Sequence, residues 1–220
     1  MPRAAAVLFD LDGTLVDSAP DLAGTANDLR AERGLPALPL AALRPHAGSG
    51  ARGMLRVAFD LMPGQLHYDA MRLEFLDRYE ARMLRETQVF AEVLSTLRCL
   101  DRCGVPWGIV TNKTLRFAAP LAQALGLLPG AAVLVGGDST PHTKPHPAPL
   151  LEAARRLQLE PGLCLYVGDD KRDVQAGLAA GMTPLAAAWG YLGQDVDVHA
   201  WGAHLVLDRP DALLQFLELA

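Results

Sequence analysis

Residues Val7 to Asp17 read "VLFDLDGTLVD". Three apolar residues run into Asp10, Asp12 follows two positions on, and Gly13 and Thr14 come next. A short apolar run bounded by turn chemistry has the form of a strand buried on both faces. This one ends in two carboxylates that repel each other, which a structural role alone does not explain. The same form recurs in "PWGIVTN", "AAVLVGGD" and "LCLYVGDD", and more weakly in "PLAAAWG" and "AHLVLD".

Helical patterns separate these runs. "AEVLSTLRCLDRCG" carries apolar residues at helical spacing and Gly104 to end it, and "FAAPLAQALG", "PAPLLEAARRLQL" and "VQAGLAAG" read the same way. Strand alternating with helix predicts an α/β fold, a Rossmann-like parallel sheet with helices on both faces. The alternation is broken once. Between Ser18 and about Phe90 no convincing strand is read. "SAPD" at Ser18 to Asp21 has capping-box form and opens a helix that runs to Gly34. "LHYDAMRLEFLDRYEARML" is a second long helix, with Leu73, Leu76 and Tyr79 expected along one side. The glycine-rich "HAGSGARG" reads as a loop between them. The expected division is therefore an α/β core from residues 1–17 and 91–220 and an inserted helical cap from residues 18–90. The joins, near Val16 to Ser18 and Phe90 to Glu92, are the expected hinge.

The bulk numbers exclude several classes. At 220 residues and 50% apolar composition the chain can bury a large core. Its net charge of −5 and lack of a basic block argue against a nucleic-acid partner. No apolar stretch approaches membrane length, and the first apolar run is too short for a secretory signal. Three cysteines, Cys99, Cys103 and Cys164, suit a reducing cytoplasm. Cys99 and Cys103 would share one helix face, but with no second ligand pair nearby they read as packing residues rather than a zinc site.

Ligands of open parallel sheets bind outside the carboxyl ends of the strands. Here those ends carry Asp10 and Asp12, then Thr111 and Asn112, then Asp169 and Asp170 with Asp173 beyond, while Lys144 follows the third run in "TKPHP". Asp10, Asp12 and Asp169 are unstable together unless a cation holds them, and hard oxygen donors with room for water suit Mg²⁺. An ionised Asp10 can then attack phosphorus, and Asp12 can protonate the leaving oxygen and later deprotonate water. Thr111 and Lys144 can hold phosphoryl oxygens as charge redistributes. Phosphate monoesters are among the slowest substrates to hydrolyse, with enzymatic accelerations up to about 10²¹, so a nucleophile, a metal and a cationic clamp are in proportion to the task. His142 and His146, beside Lys144, read as solvated loop residues. Asp170 reads equally as a helix cap or as a functional group. Trp189, Tyr191 and Trp201 offer stacking surface, and Arg52 in "HAGSGARG" is the expected reader of a substrate anion, bidentate toward a carboxylate.

"DLDGTLVD", "VTN", "TKPHP" and "VGDDKRD", in that order and spacing, resemble the four motifs of the haloacid-dehalogenase-like hydrolases. The resemblance implies that Asp10 is the nucleophile and Asp12 the acid/base. It implies that Thr111, Asn112 and Lys144 serve the phosphate, and that Asp10, the Asp12 backbone carbonyl and Asp169 hold Mg²⁺. Asp170 and Asp173 would support them. The insertion resembles the cap of the phosphoglycolate-phosphatase-like subgroup. "RLEFLDRYEARM", "WGIVTNKTLRFAAPL" and "WGYLGQD…HAWGAH" resemble the N-acetylmuramic acid 6-phosphate phosphatases. The expected substrate is thus a small carboxylate-bearing phosphate, N-acetylmuramic acid 6-phosphate or 2-phosphoglycolate. A sugar-phosphate mutase or phosphotransferase on the same fold is the alternative.

Overall fold

A computed structural model describes residues 4–193 and 197–219. Gln194 and Asp195 of "WGYLGQD" lie outside the described residues. Six strands, β1 (Ala6–Phe9), β4 (Trp107–Val110), β5 (Val133–Val135), β6 (Cys164–Gly168), β7 (Thr183–Ala187) and β8 (Leu205–Leu207), form one sheet in the order β5-β4-β1-β6-β7-β8. Every pairing is parallel. All six runs read as strands in the sequence are these six strands. Side chains alternate across the sheet. Val7, Phe9, Ile109 and Val167 enter one apolar cluster, and Ala6, Leu8, Val110 and Tyr166 enter another.

The missing strand signal between Ser18 and Phe90 is a real feature with one exception. Four helices fill the segment: α1 (Ala19–Glu32), α2 (Leu40–Leu43), α3 (Gly50–Phe59) and α4 (Tyr68–Arg82). They gather around Leu22, Leu29, Met54, Leu55, Phe75 and Tyr79. The exception is a pair of two-residue strands, β2 (Val16–Asp17) and β3 (Gln88–Val89), which lie antiparallel as a ribbon with Val16 opposite Val89 and Asp17 opposite Gln88. Two residues are too few to show a period, so this pairing is invisible in sequence. The remaining helices, α5 (Val93–Arg102), α6 (Leu115–Ala124), α7 (Ala148–Leu157), α8 (Lys171–Ala179) and α9 (Ala212–Phe216), follow the core strands.

Three expectations are corrected. "HAGSGARG" is helical: a 3₁₀ turn at Arg44–Ser49 runs directly into α3. Gly53 serves close approach, since a Cβ there would lie 2.3 Å from the His46 carbonyl oxygen. On α4 the inward face is Tyr68, Phe75 and Tyr79, whereas Leu73 points to solvent. The capping box at Ser18 is absent. Its hydroxyl bonds Asp12 instead, and the Tyr191 hydroxyl accepts from the Ser18 and Ala19 amides at 2.8 and 3.0 Å. Asp21, fully buried, accepts from the Glu86 and Thr87 amides and the Thr87 hydroxyl.

Candidate active site

The chain runs from β1 out through β4 to β5, then returns to β6 and continues to β8 on the other side. The strand order therefore reverses between β1 and β6, and the crevice of an open α/β sheet opens there. Asp10 is the first residue past β1 and Asp169 the first past β6. The register aligns them, with Phe9 opposite Val167 and the Asp10 amide bonded to the Val167 carbonyl at 2.9 Å. Thr111 is likewise the first residue past β4, its amide held by the Val135 carbonyl.

These placements bring one oxygen each of Asp10, Asp169 and Asp173 within 4.8 Å of one another, all three residues buried. Burial, reinforced by Asp10 and Asp173, pushes the Asp169 carboxyl well above the usual carboxylate range, although the Tyr191 amide and Thr14 hydroxyl bond its oxygens. Asp173 is pushed up to about 6 by burial, against the pull of Lys144. The Lys144 ammonium lies 2.8 Å from Asp10 Oδ1, 2.7 Å from Asp173 Oδ1 and 2.6 Å from the Tyr166 hydroxyl. Burial alone would lower its pKa, but Asp10 and Asp173 outweigh burial and raise it. Asp10 Oδ1 is buried without a well-aligned hydrogen bond. Such a set of hard, crowded oxygens fits a divalent cation such as Mg²⁺.

Gly13 makes the crowding possible. It has φ +91°, and a Cβ there would sit 2.2 Å from Asp169 Oδ2. Only glycine accommodates both the left-handed turn and the carboxylate against it.

Asp12 stands apart from the cluster. Both its oxygens accept from the Lys113 ammonium, at 2.9 and 3.0 Å, and Oδ1 also accepts from Ser18. Asn112 lines the same cavity as Thr111 and Lys144. Its side-chain amide exchanges two hydrogen bonds with the Lys144 backbone, so it pins the lysine loop. Thr111 Oγ1 accepts from the Lys113 amide, leaving its hydroxyl proton for the cavity. Asp170 caps α8 and pairs with Arg172, while Asp173 completes that capping box through the Asp170 amide. Burial would raise Asp170, but the Arg172 guanidinium holds it below the usual range. Both His142 and His146 are exposed, as read.

A cavity of about 480 Å³ opens above these groups. Its floor includes Asp10, Asp12, Thr111, Lys144 and Asp169, and its roof includes Ala47 to Arg52, Arg72, Phe75 and Leu76. The expected stacking residues are elsewhere. Trp189 donates its indole N–H to the Thr14 carbonyl and lines a small apolar void, and Trp201 packs against Val174 and Ala186. Tyr191 is buried at the start of α1. Apolar wall comes instead from Leu22, Phe75, Leu76 and Phe117.

Two side chains that line the cavity were not singled out in the sequence. Lys113 follows "VTN" and could have been flagged as a cation at a strand end. Arg172, in "DDKRD", reaches from α8 to the Gly48 carbonyl at 2.8 Å, a contact no local pattern announces.

Comparison with known proteins agrees with this geometry. The family profile described as haloacid dehalogenase-like hydrolase matches residues 4–181. A phosphoglycolate phosphatase of Xanthomonas campestris is 47% identical over 96% of this chain and 95% of its own length. An N-acetylmuramic acid 6-phosphate phosphatase of Pseudomonas putida is 39% identical over 99% and 98%. The crystal structure of a predicted phosphoglycolate phosphatase from Haemophilus somnus superposes with TM-score 0.87 at 27% identity, covering 98% of this chain and 99% of that one. With the strand-end aspartates, the lysine and the reversal point all in place, the chain belongs to the haloacid dehalogenase-like hydrolases and is a phosphatase of that family.

Proposed function

We propose that the protein hydrolyses a small carboxylate-bearing phosphomonoester in the cytoplasm through an aspartyl-phosphate on Asp10, with residues 18–90 acting as a cap over the core. N-acetylmuramic acid 6-phosphate is the favoured substrate. The observation that carries the choice is the cavity: about 480 Å³, within the range of sites for drug-sized ligands, and larger than a two-carbon acid fills. It has a phosphate end at Lys144 and Thr111 and a roof bearing the exposed guanidinium groups of Arg52 and Arg72. The apolar wall of Leu22, Phe75, Leu76 and Phe117 suits a sugar ring with an N-acetyl group.

In the first step an Asp10 oxygen attacks phosphorus and the ester P–O bond breaks, with Asp12 giving a proton to the leaving alcohol. In the second, water attacks the same phosphorus, Asp12 takes a proton from it, and Asp10 is released. Lys144 and the Thr111 hydroxyl hold the phosphoryl oxygens throughout. Asp10, the Asp12 backbone carbonyl and Asp169 would hold Mg²⁺, which when bound neutralises the crowded carboxylates and draws charge from the phosphoryl group.

Asp12→Asn is expected to lose about 10²–10⁴-fold on an alkyl phosphate and much less on p-nitrophenyl phosphate, whose leaving group needs no proton. Equal losses on the two esters in single-turnover release of the leaving group, the step before water attacks, would remove Asp12 from the acid role.

The name carried by the relatives at 47% identity favours a second reading, 2-phosphoglycolate. Phosphate release measured side by side on the two esters decides between them, and a higher kcat/KM on 2-phosphoglycolate would overturn the sugar acid. Product NMR in the same assay tests hydrolysis against transfer to a second hydroxyl, the mutase or phosphotransferase alternative. Arg52→Ala is expected to lower kcat/KM for the muramic acid ester roughly 10- to 100-fold, the scale of one hydrogen bond to a charged group. N-acetylglucosamine 6-phosphate, which lacks the lactyl carboxylate, should lose far less. The same loss on both sugars would mean that Arg52 does not read the carboxylate.

A further inference from the structure

Lys113 joins three segments that are distant in sequence. Its ammonium bonds both oxygens of Asp12, from the loop after β1, at 2.9 and 3.0 Å. It also bonds the hydroxyl of Tyr79, from α4, at 2.9 Å, and lies 4.7 Å from the centre of that ring. The lysine itself comes from the loop after β4. Tyr79 is held firmly: its ring stacks on Phe75 and meets Phe117 edge-on, and it is buried. Side chains of Lys113 and Asp12 are 10% and 14% exposed, so this is a largely desolvated pair, where such contacts are strongest.

The two lysines of the site divide the carboxylates between them. Lys144 takes Asp10 and Asp173, and Lys113 takes Asp12. Without Lys113 this carboxylate, two residues from Asp10, would keep the Ser18 hydroxyl on one oxygen and lose the contact that fixes both. Proton transfer to a leaving oxygen tolerates little such freedom, because misplacement by about 1 Å can cost 10²-fold.

We propose that Lys113 is the positioning residue for Asp12, and that Tyr79 anchors Lys113, so that Asp12 is set for proton transfer only while α4 is seated over the sheet. This rests on the reading of Asp12 as the group that exchanges a proton with the leaving oxygen. Lys113 also lines the cavity, so the rival role is direct contact with the phosphoryl group.

The test uses Lys113→Met, Lys113→Arg and Tyr79→Phe, and Lys113→Met combined with Asp12→Asn or with Tyr79→Phe. Each is assayed in the full-length protein on an alkyl phosphate and on p-nitrophenyl phosphate. Lys113→Met should lower kcat on the alkyl ester about 10- to 100-fold, the scale of lost charged hydrogen bonds, with KM little changed. p-Nitrophenyl phosphate should lose only a few-fold, which also reports that the variant is folded. Lys113→Arg should recover part of the alkyl activity. Tyr79→Phe should lose in the same direction by less, and add little on top of Lys113→Met. In the Asp12→Asn background Lys113→Met should cost nothing further, because residues acting through one group are not additive. If Asp12→Asn discriminates between the esters but Lys113→Met does not, or if the two losses multiply, the positioning role is overturned while the acid role stands. Equal losses on both esters for Asp12→Asn in single-turnover release of the leaving group would overturn the acid role and the positioning role with it.

Discussion

Asp10→Asn is expected to abolish phosphate release from every ester while the protein melts at or above the wild-type temperature. The amide is a poor nucleophile and a weak ligand for a hard cation, so the covalent step has no substitute. Folding should not depend on the charge. Lys144 keeps Asp173 as its partner at 2.7 Å, and the strain on the buried Asp169 carboxyl is relieved, since after burial itself the Asp10 charge does most to raise it. Phosphate release and thermal melting on the same preparation check both halves. More than a trace of activity would remove Asp10 from the nucleophile role. A large fall in melting temperature would mean that its charge is needed for the fold.

Lys144→Met should fail on both counts. Lys144 is 4% exposed, and its ammonium is in direct contact with Asp10 and Asp173. Removing one partner of a buried pair typically costs about 3–5 kcal/mol. For a chain of this size that is a melting-temperature drop of roughly 6–20 °C. Because the stranded carboxyls can take protons instead, the deficit should be smaller in acid than at neutral pH. A bound cation would also shield them, so Mg²⁺ should restore part of the loss and EDTA should not. Thermal melting with and without Mg²⁺ measures this. An unchanged melting temperature in EDTA would mean that Lys144 does not hold the cluster together.

Much of the core was legible because its strands are buried on both faces and announce themselves as apolar runs. Six such runs are the six strands, and the polar residue ending each of three runs sits at one crevice. What was not legible has physical causes. "HAGSGARG" looks like a loop because glycine disfavours helices, but here glycine lets two helical turns touch, and no local scale registers a contact between segments. Ser18 and Asp21 match a cap signature, yet Asp12 and Thr87 compete for their side chains. Trp189 and Tyr191, named for stacking, are placed for a similar reason. An indole or phenol that must satisfy its polar atom goes where that partner is, and Trp189 found the Thr14 carbonyl. Asn112 and Lys113 sit side by side, and only three-dimensional structure assigns one to the Lys144 backbone and the other to Asp12.

The ribbon of β2 and β3 bears on how such a protein can change over generations. The chain leaves this ribbon at Asp17 and comes back to it at Gln88, and those two residues are paired. Everything in residues 18–87 is thus an excursion whose ends meet at one point. Closing such a loop depends only weakly on its length, by about 0.6 kcal/mol for each doubling. Insertions, deletions and exchanges within it therefore leave the ends of the core strands where they are. On the proposed function, the part that breaks the ester and the part that meets the alcohol can then vary largely separately, with the Tyr79–Lys113 contact as the link both must keep, so new substrates are open to the lineage without reinventing the chemistry.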